Sequence, residues 1–224
     1  MSFLIAIEGI DGSGKGTQAR QLVDRLTNNG VSTALLSFPR YSETLFGAAI
    51  GQFLNGTFGP LENVAPQLAA TLYAGDRFES RDTLLDALAN QQVVVCDRYV
   101  PSNLAHQGSR AADTEQDDLI EWIEHMEYDV FKLPRPDAVI WLDIPPQVSR
   151  QLIEKKAPRD YTDKAADLQE ADFEYQLGVH QVYQALASNR SHWTRIDGLL
   201  EGTLQVRPIV DIADDVLAVV SDKI

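Results

Sequence analysis

The run Gly9-Ile10-Asp11-Gly12-Ser13-Gly14-Lys15-Gly16-Thr17 constrains this chain more than any other segment. Before it, Phe3-Leu4-Ile5-Ala6-Ile7 has the unbroken apolar character of a buried strand. After it, Gln18 to Asn28 reads as a helix. Strand, glycine-rich turn, lysine and helix in that order make a phosphate-binding loop. Glycines let the backbone curl until successive N–H groups point into one concavity. The helix N-terminus adds unpaired donors and the positive end of a dipole. Gly9, Gly12, Ser13, Gly14, Gly16 and Thr17 are therefore expected to cradle phosphates, with Lys15 as the cation for the β and γ phosphates of a nucleoside triphosphate. The residue after such a lysine is usually a Ser or Thr that touches Mg²⁺. Here it is Gly16, with Thr17 one later, so direct and water-mediated contact of the Thr17 hydroxyl with the metal both stay open.

Bulk properties narrow the class. A length of 224 residues suits one α/β domain, expected to span 1–224. Lys and Arg total 19 against 33 Asp and Glu, a formal charge of −14, which argues against a nucleic-acid binder. An anionic substrate must then be held by a few local cations. Cys96 is the single cysteine, so no intrachain disulfide is possible, and its place in an apolar run predicts a buried thiol. The first apolar stretch is too short for a signal peptide, and no segment approaches the roughly 20 apolar residues of a membrane span. The expectation is a soluble, cytoplasmic protein.

Strands and helices alternate along the chain. Val31 to Phe38 reads as a second strand, entered through Gly30. Glu43 to Leu54 and Val64 to Asn90 read as helices, the latter long or broken near Gly75. Val93 to Cys96 is a fully apolar third strand, Thr114 to Tyr128 a helix, and Ala138 to Leu142 a fourth strand. Pro146 opens a helix towards Lys156. A polar stretch then precedes a helix from about Leu168 to Ala187, a fifth strand at Trp193 to Ile196 and a last helix over Val206 to Ser221. The pattern predicts a parallel five-stranded sheet with helices on both faces, and ligands at the carboxyl ends of the strands.

Chemistry-bearing residues recur at those ends. Asp97 follows the third strand, the place of a carboxylate that holds Mg²⁺ or its waters, and Arg98 offers a planar fork for a phosphate. The second strand ends in Phe38-Pro39-Arg40-Tyr41. Tyr73 and Arg77, four apart, share a helical face.

Together the segments Glu8 to Lys15, Phe38-Pro39-Arg40-Tyr41, Asp76-Arg77 and Asp97-Arg98-Tyr99-Val100-Pro101-Ser102-Asn103 resemble the thymidylate kinase family, and Leu142-Asp143 and Ile196-Asp197-Gly198 continue the resemblance. The Gly-Lys-Gly-Thr spelling is likewise similar to nucleoside monophosphate kinases. The resemblance implies a P-loop NTPase fold of that kinase type with a short lid, about 154–167. It implies transfer of the γ-phosphate of ATP to dTMP with Mg²⁺, and a homodimer. Asp11 would face the sugar near its 3′-hydroxyl, Arg40 and Arg98 would hold the dTMP phosphate, and Tyr41 would sit near phosphate or sugar. Phe38 and Tyr73 are candidates to stack on thymine, and Arg77 would donate to a thymine carbonyl. Ser102 belongs to the same substrate motif, and Asn103, both donor and acceptor, suits the N3–H and an adjacent carbonyl. Thr17 and Asp97 would serve the metal. Some members carry an arginine just after the acidic residue of the loop. Here that position is Gly12, which shifts the catalytic cation to the lid, where Lys155, Lys156 and Arg159 cluster after Arg150; Arg159 is the candidate. Asp167 and Glu170 suit a helix N-terminus, and His106 is expected to be an ordinary polar helix residue. Lys15, Arg98 and Arg159 thus form the expected catalytic set. No general base is required, because the attacking phosphate oxygen is already anionic. The rival readings are another nucleoside monophosphate or deoxynucleoside kinase, and a non-catalytic nucleotide-binding protein. A guanine-reading Asn-Lys-x-Asp appears nowhere in the chain.

Overall fold

The computed structural model describes residues 2–153, 172–221 and 223. The expected lid and Arg159, with Lys155, Lys156, Asp167 and Glu170, lie outside the described residues. Five strands, β1 (Phe3–Glu8), β2 (Thr33–Ser37), β3 (Val93–Asp97), β4 (Ala138–Asp143) and β5 (Trp193–Asp197), form one parallel sheet in the order β2-β3-β1-β4-β5. The helices are α1 (Lys15–Asn28), α2 (Leu45–Leu54), α3 (Pro66–Glu79), α4 (Arg81–Asn90), α5 (Val100–Gly108), α6 (Gln116–Glu124), α7 (Pro146–Ile153), α8 (Phe173–Asn189) and α9 (Ile209–Ser221).

Alternation along each strand explains why both faces are covered. Ile5, Ile7, Val93, Val95, Ile140, Leu142 and Ile196 face one side and meet Ala19, Leu22 and Leu26 of α1 and Ile212, Val216 and Val220 of α9. Leu4, Ala6, Val94, Cys96, Val139 and Trp141 face the other, under residues of α3 to α6 and α8. Each such aliphatic side chain contributes about 1.5–3 kcal/mol of burial. Cys96 is buried as expected, and burial pushes its thiol pKa well up, so it is inert packing rather than a nucleophile.

Two of the expected helices are interrupted differently, the last helix starts at Ile209 and not Val206, and α5 was not among the expected elements. The helical stretch before β3 breaks at Ser80, between α3 and α4, and not near Gly75. Gly75 lies inside α3 because a Cβ there would meet the Phe46 ring at 2.4 Å; its small size lets α2 and α3 approach. The helix expected to reach Tyr128 is α6 followed by a π-turn at His125–Val130, whose wider winding buries the consecutive residues Met126, Glu127 and Tyr128.

Strands β1 and β3 are neighbours at the centre of the sheet. Their carboxyl ends deliver Glu8 to Thr17 and Asp97 to Asn103 side by side. The helix α3 then brings Tyr73 and Arg77 over the same edge.

Candidate active site

One cavity of about 510 Å³ lies above these strand ends. Its walls include Gly12, Gly14, Lys15, Gly16 and Thr17 of the loop, Asp97 and Arg98 after β3, and Asp11. The lining also includes Phe38, Tyr41, Tyr73, Arg77, Ser102 and Asn103. The structure thus brings most of the expected site residues to one hollow. Gly9 and Ser13 are buried behind the loop. Arg40 stands apart: its guanidinium pairs with Glu43, and its backbone N–H donates to Asp76 Oδ2 at 3.1 Å.

The loop is held by close approach. Gly12 has φ +81°, and a Cβ there would meet the Ser149 carbonyl at 2.7 Å. Gly14, with φ 90°, turns the chain into α1. Gly16 is the position where Ser or Thr was missing; a Cβ on it would lie 2.8 Å from Asp97 Oδ2. The absent side chain leaves room for that carboxylate beside the loop.

Lys15 is 7% exposed and donates from Nζ to the Ile10 carbonyl at 2.7 Å. Burial, and after it the charge of Arg98, lowers its pKa to about 7 against the pull of Asp11, Asp97 and Glu8. A polyphosphate placed beside Nζ restores the charged form.

Arg98 adopts φ 67°, a left-handed conformation that non-glycine residues seldom take. Its N–H donates to Ile7 O at 3.1 Å, which anchors the turn. The side chain folds back over the loop. Nη1 donates to Gly9 O at 3.2 Å and Ser102 Oγ at 2.9 Å, and Nη2 donates to Asp11 Oδ1 at 2.5 Å. Burial opposes the Arg98 charge, but Asp11, Glu8 and Asp97 outweigh it and hold its pKa well above the usual value.

Several contributors were given no role by the sequence, although Glu8 and Asp76 lie in the segments that carry the resemblance. Glu8, at the end of β1, is fully buried and accepts from Tyr99 N–H, Ser102 Oγ and Tyr183 Oη at 2.8, 2.6 and 2.9 Å. Burial raises its pKa despite those donors and Arg98. Asp76, 1% exposed, ties the Phe38–Tyr41 turn to α3 through Arg40 N–H and Thr44 Oγ1. Glu127 accepts from Arg77 and Asn103. Arg20, Leu54 and Gln107 also line the cavity. Spacing carried a signal only for Gln107, which follows Asn103 by four and so shares its helical face.

His106 departs from its expected role. It lines the cavity, is 6% exposed, and is lowered to a pKa of about 3 by burial and then by Arg98. The neutral ring faces Arg98 Nη1 at 3.3 Å through Nε2 and Tyr175 Oη at 2.8 Å through Nδ1. Because Arg98 is a donor, Nε2 is the accepting nitrogen.

Two buried polar atoms of the cavity wall have no partner among the described residues: Asn103 Oδ1, an acceptor, and Gln107 Nε2, a donor. Such atoms are costly unless a ligand or water satisfies them. Asp97 and Thr17 add hard oxygen donors beside the lysine, a set suited to Mg²⁺. Among the described residues no group of three or more His, Cys, Asp or Glu forms a metal cage.

Comparisons with known proteins agree with one another. A family model described as thymidylate kinase matches residues 7–207. The thymidylate kinase of Mycobacterium tuberculosis (strain H37Rv) is 33% identical over 185 residues, covering 83% of this chain and 86% of that protein. A probable thymidylate kinase of Thermococcus onnurineus is 31% identical, with 98% of each chain covered. In fold, the solved thymidylate kinase of Candida albicans is similar with a TM-score of 0.74 at 21% identity, over 99% of this chain and 92% of its own. With the loop, the strand-end residues and the sheet order all in place, the chain belongs to the thymidylate kinase family.

Proposed function

We propose that this chain transfers the γ-phosphate of ATP to dTMP, giving ADP and dTDP. The observation that carries this reading is the single cavity in which an anion-binding loop faces a wall of aromatic, guanidinium and amide groups. Phosphates of ATP lie on the loop amides and Lys15. Arg98 grips the dTMP phosphate, exchanging part of its hold on Asp11, which turns to the sugar. Arg40 joins it by leaving Glu43, a half-buried pair worth little. Tyr41 closes the phosphate and sugar side. Thymine stacks on Phe38 or Tyr73, worth roughly 1–3 kcal/mol. Its N3–H meets Asn103 Oδ1, its carbonyls face Arg77 and Gln107 Nε2, and Ser102 holds Arg98 in line.

Mg²⁺ would be held by Asp97 and Thr17, where it would neutralise charge on the polyphosphate. The remaining catalysis is alignment and electrostatics, from Lys15, Arg98 and Arg159 of the lid at 154–167. We extend this reading to one kinase domain over 1–224. A homodimer fits the apolar surface that Leu45, Leu68 and Phe78 expose on the adjoining helices α2 and α3. Among the described residues no helix is long and apolar enough to cross a membrane. A cytoplasmic location suits ATP as donor and the lone buried thiol.

A coupled ADP-release assay with dTMP, dUMP, dCMP, dGMP and thymidine tests the reaction. dTMP should be the preferred acceptor, and Lys15→Ala should reduce its turnover by orders of magnitude with the fold intact. Inertness toward dTMP alongside ready turnover of an unrelated acceptor refutes the proposal.

A further inference from the structure

The base-facing wall rests on a residue that does not line the cavity. Glu127, 0% exposed, sits within the π-turn behind α3 and α5. Its Oε2 accepts from Arg77 Nε at 2.5 Å, and its Oε1 accepts from Arg77 Nη2 at 2.6 Å. The same Oε1 accepts from Asn103 Nδ2 at 2.8 Å, and Nδ2 also donates to the Ala70 carbonyl at 3.0 Å. With both amide hydrogens committed, Asn103 must turn Oδ1 away from them, and that oxygen is the unpartnered acceptor of the wall. With Nε and Nη2 clamped, Arg77 has Nη1 left for the cavity it lines. One carboxylate therefore fixes two residues that both line the cavity, with an acceptor left on Asn103 and a donor left on Arg77.

That pair matches an imide, whose N3–H lies next to a carbonyl. A cytosine edge reverses both groups, so acceptor meets acceptor and donor meets donor, and each mismatch leaves buried polar atoms unpaired. We infer that Glu127 is the positioning residue that makes this pocket select thymine over cytosine, by fixing Asn103 and Arg77 in one orientation. The inference rests on dTMP as the substrate. A solely structural role for the buried pair would change stability and leave base choice alone.

The test is Glu127→Gln, which keeps the volume but offers one oxygen to three donors. The KM for dTMP should rise about 10-fold or more, the KM for ATP should stay within about twofold, and the kcat/KM preference for dTMP over dCMP should fall about 10-fold. A folded variant that keeps the native preference for dTMP over dCMP overturns the inference, whatever its dTMP KM. Should that variant not fold, two charge-free doubles decide. R77L/E127Q keeps an acceptor for Asn103, whereas R77L/E127L does not. The first should retain a dTMP preference at least about fivefold above the second, and equal preferences overturn the inference. Failure of the native protein to phosphorylate dTMP would instead remove the functional reading itself.

Discussion

The Lys15 ammonium should couple ATP binding to proton uptake. In the free protein it titrates at about 7, against 10.5 for an ordinary lysine, chiefly through burial. If only the charged form holds the polyphosphate, the apparent Kd for ATP scales as 1 + 10^(pH − 7). That factor is about 2 at pH 7, about 11 at pH 8 and about 101 at pH 9. Affinity should therefore fall about fivefold over the first unit and about 50-fold over both. A phosphate monoester loses its last proton near pH 6, so the ligand adds little slope in this window. The stability of the free protein runs the other way. Between pH 7 and 10.5 the unfolded lysine binds more protons than the folded one, so the Lys15 contribution to stability rises with pH. Isothermal titration calorimetry in buffers of differing ionisation enthalpy should record uptake of about 0.5 proton per ATP at pH 7 and about 0.9 at pH 8. Lys15→Arg, charged throughout, should bind with a flat profile. Absence of proton uptake at pH 8, or the same slope in Lys15→Arg, refutes the reasoning.

Other perturbations separate the parts of the site. Arg77→Ala should raise the KM for dTMP far more than that for ATP; steady-state kinetics that found both weakened equally would misplace the base. Gly12→Ala forces a Cβ against the Ser149 carbonyl at a positive φ. Thermal unfolding should report a loss of about 1–3 kcal/mol from backbone strain alone, together with weaker ATP binding. Chelation by EDTA should abolish turnover, and added Mg²⁺ should restore it; full activity in the chelator would exclude the metal role given to Asp97 and Thr17.

Local pattern carried far where the chemistry is local. The loop, the five strands and the Asp97-Arg98 turn were legible because each is a contiguous run with its own period or composition. The order β2-β3-β1-β4-β5 rests on pairings between distant segments, which no window of residues displays. Gly75 read as a breaker because glycine has poor helix propensity; the Phe46 ring that requires it comes from another helix. His106 read as an ordinary polar helix residue because the burial and the Arg98 charge that hold it neutral arise only in the folded chain. Glu127 was invisible because a π-turn, not an α-helical period, aims it inward. Arg40 was chosen for its neighbours in sequence, and its partner Glu43 is a neighbour too.

The sheet order has a consequence at the ribosome. Both strands that flank β1 are encoded far downstream, near residues 95 and 140. At about 5–20 residues per second, they follow it by roughly 4–18 s and 7–27 s. Throughout that wait the nascent Phe3-Leu4-Ile5-Ala6-Ile7 segment is an aliphatic ribbon with both edges bare. The hazard of clumping thus belongs to the chain being born rather than to the finished enzyme, and chaperones that shield emerging polypeptides should matter most before residue 143 is made.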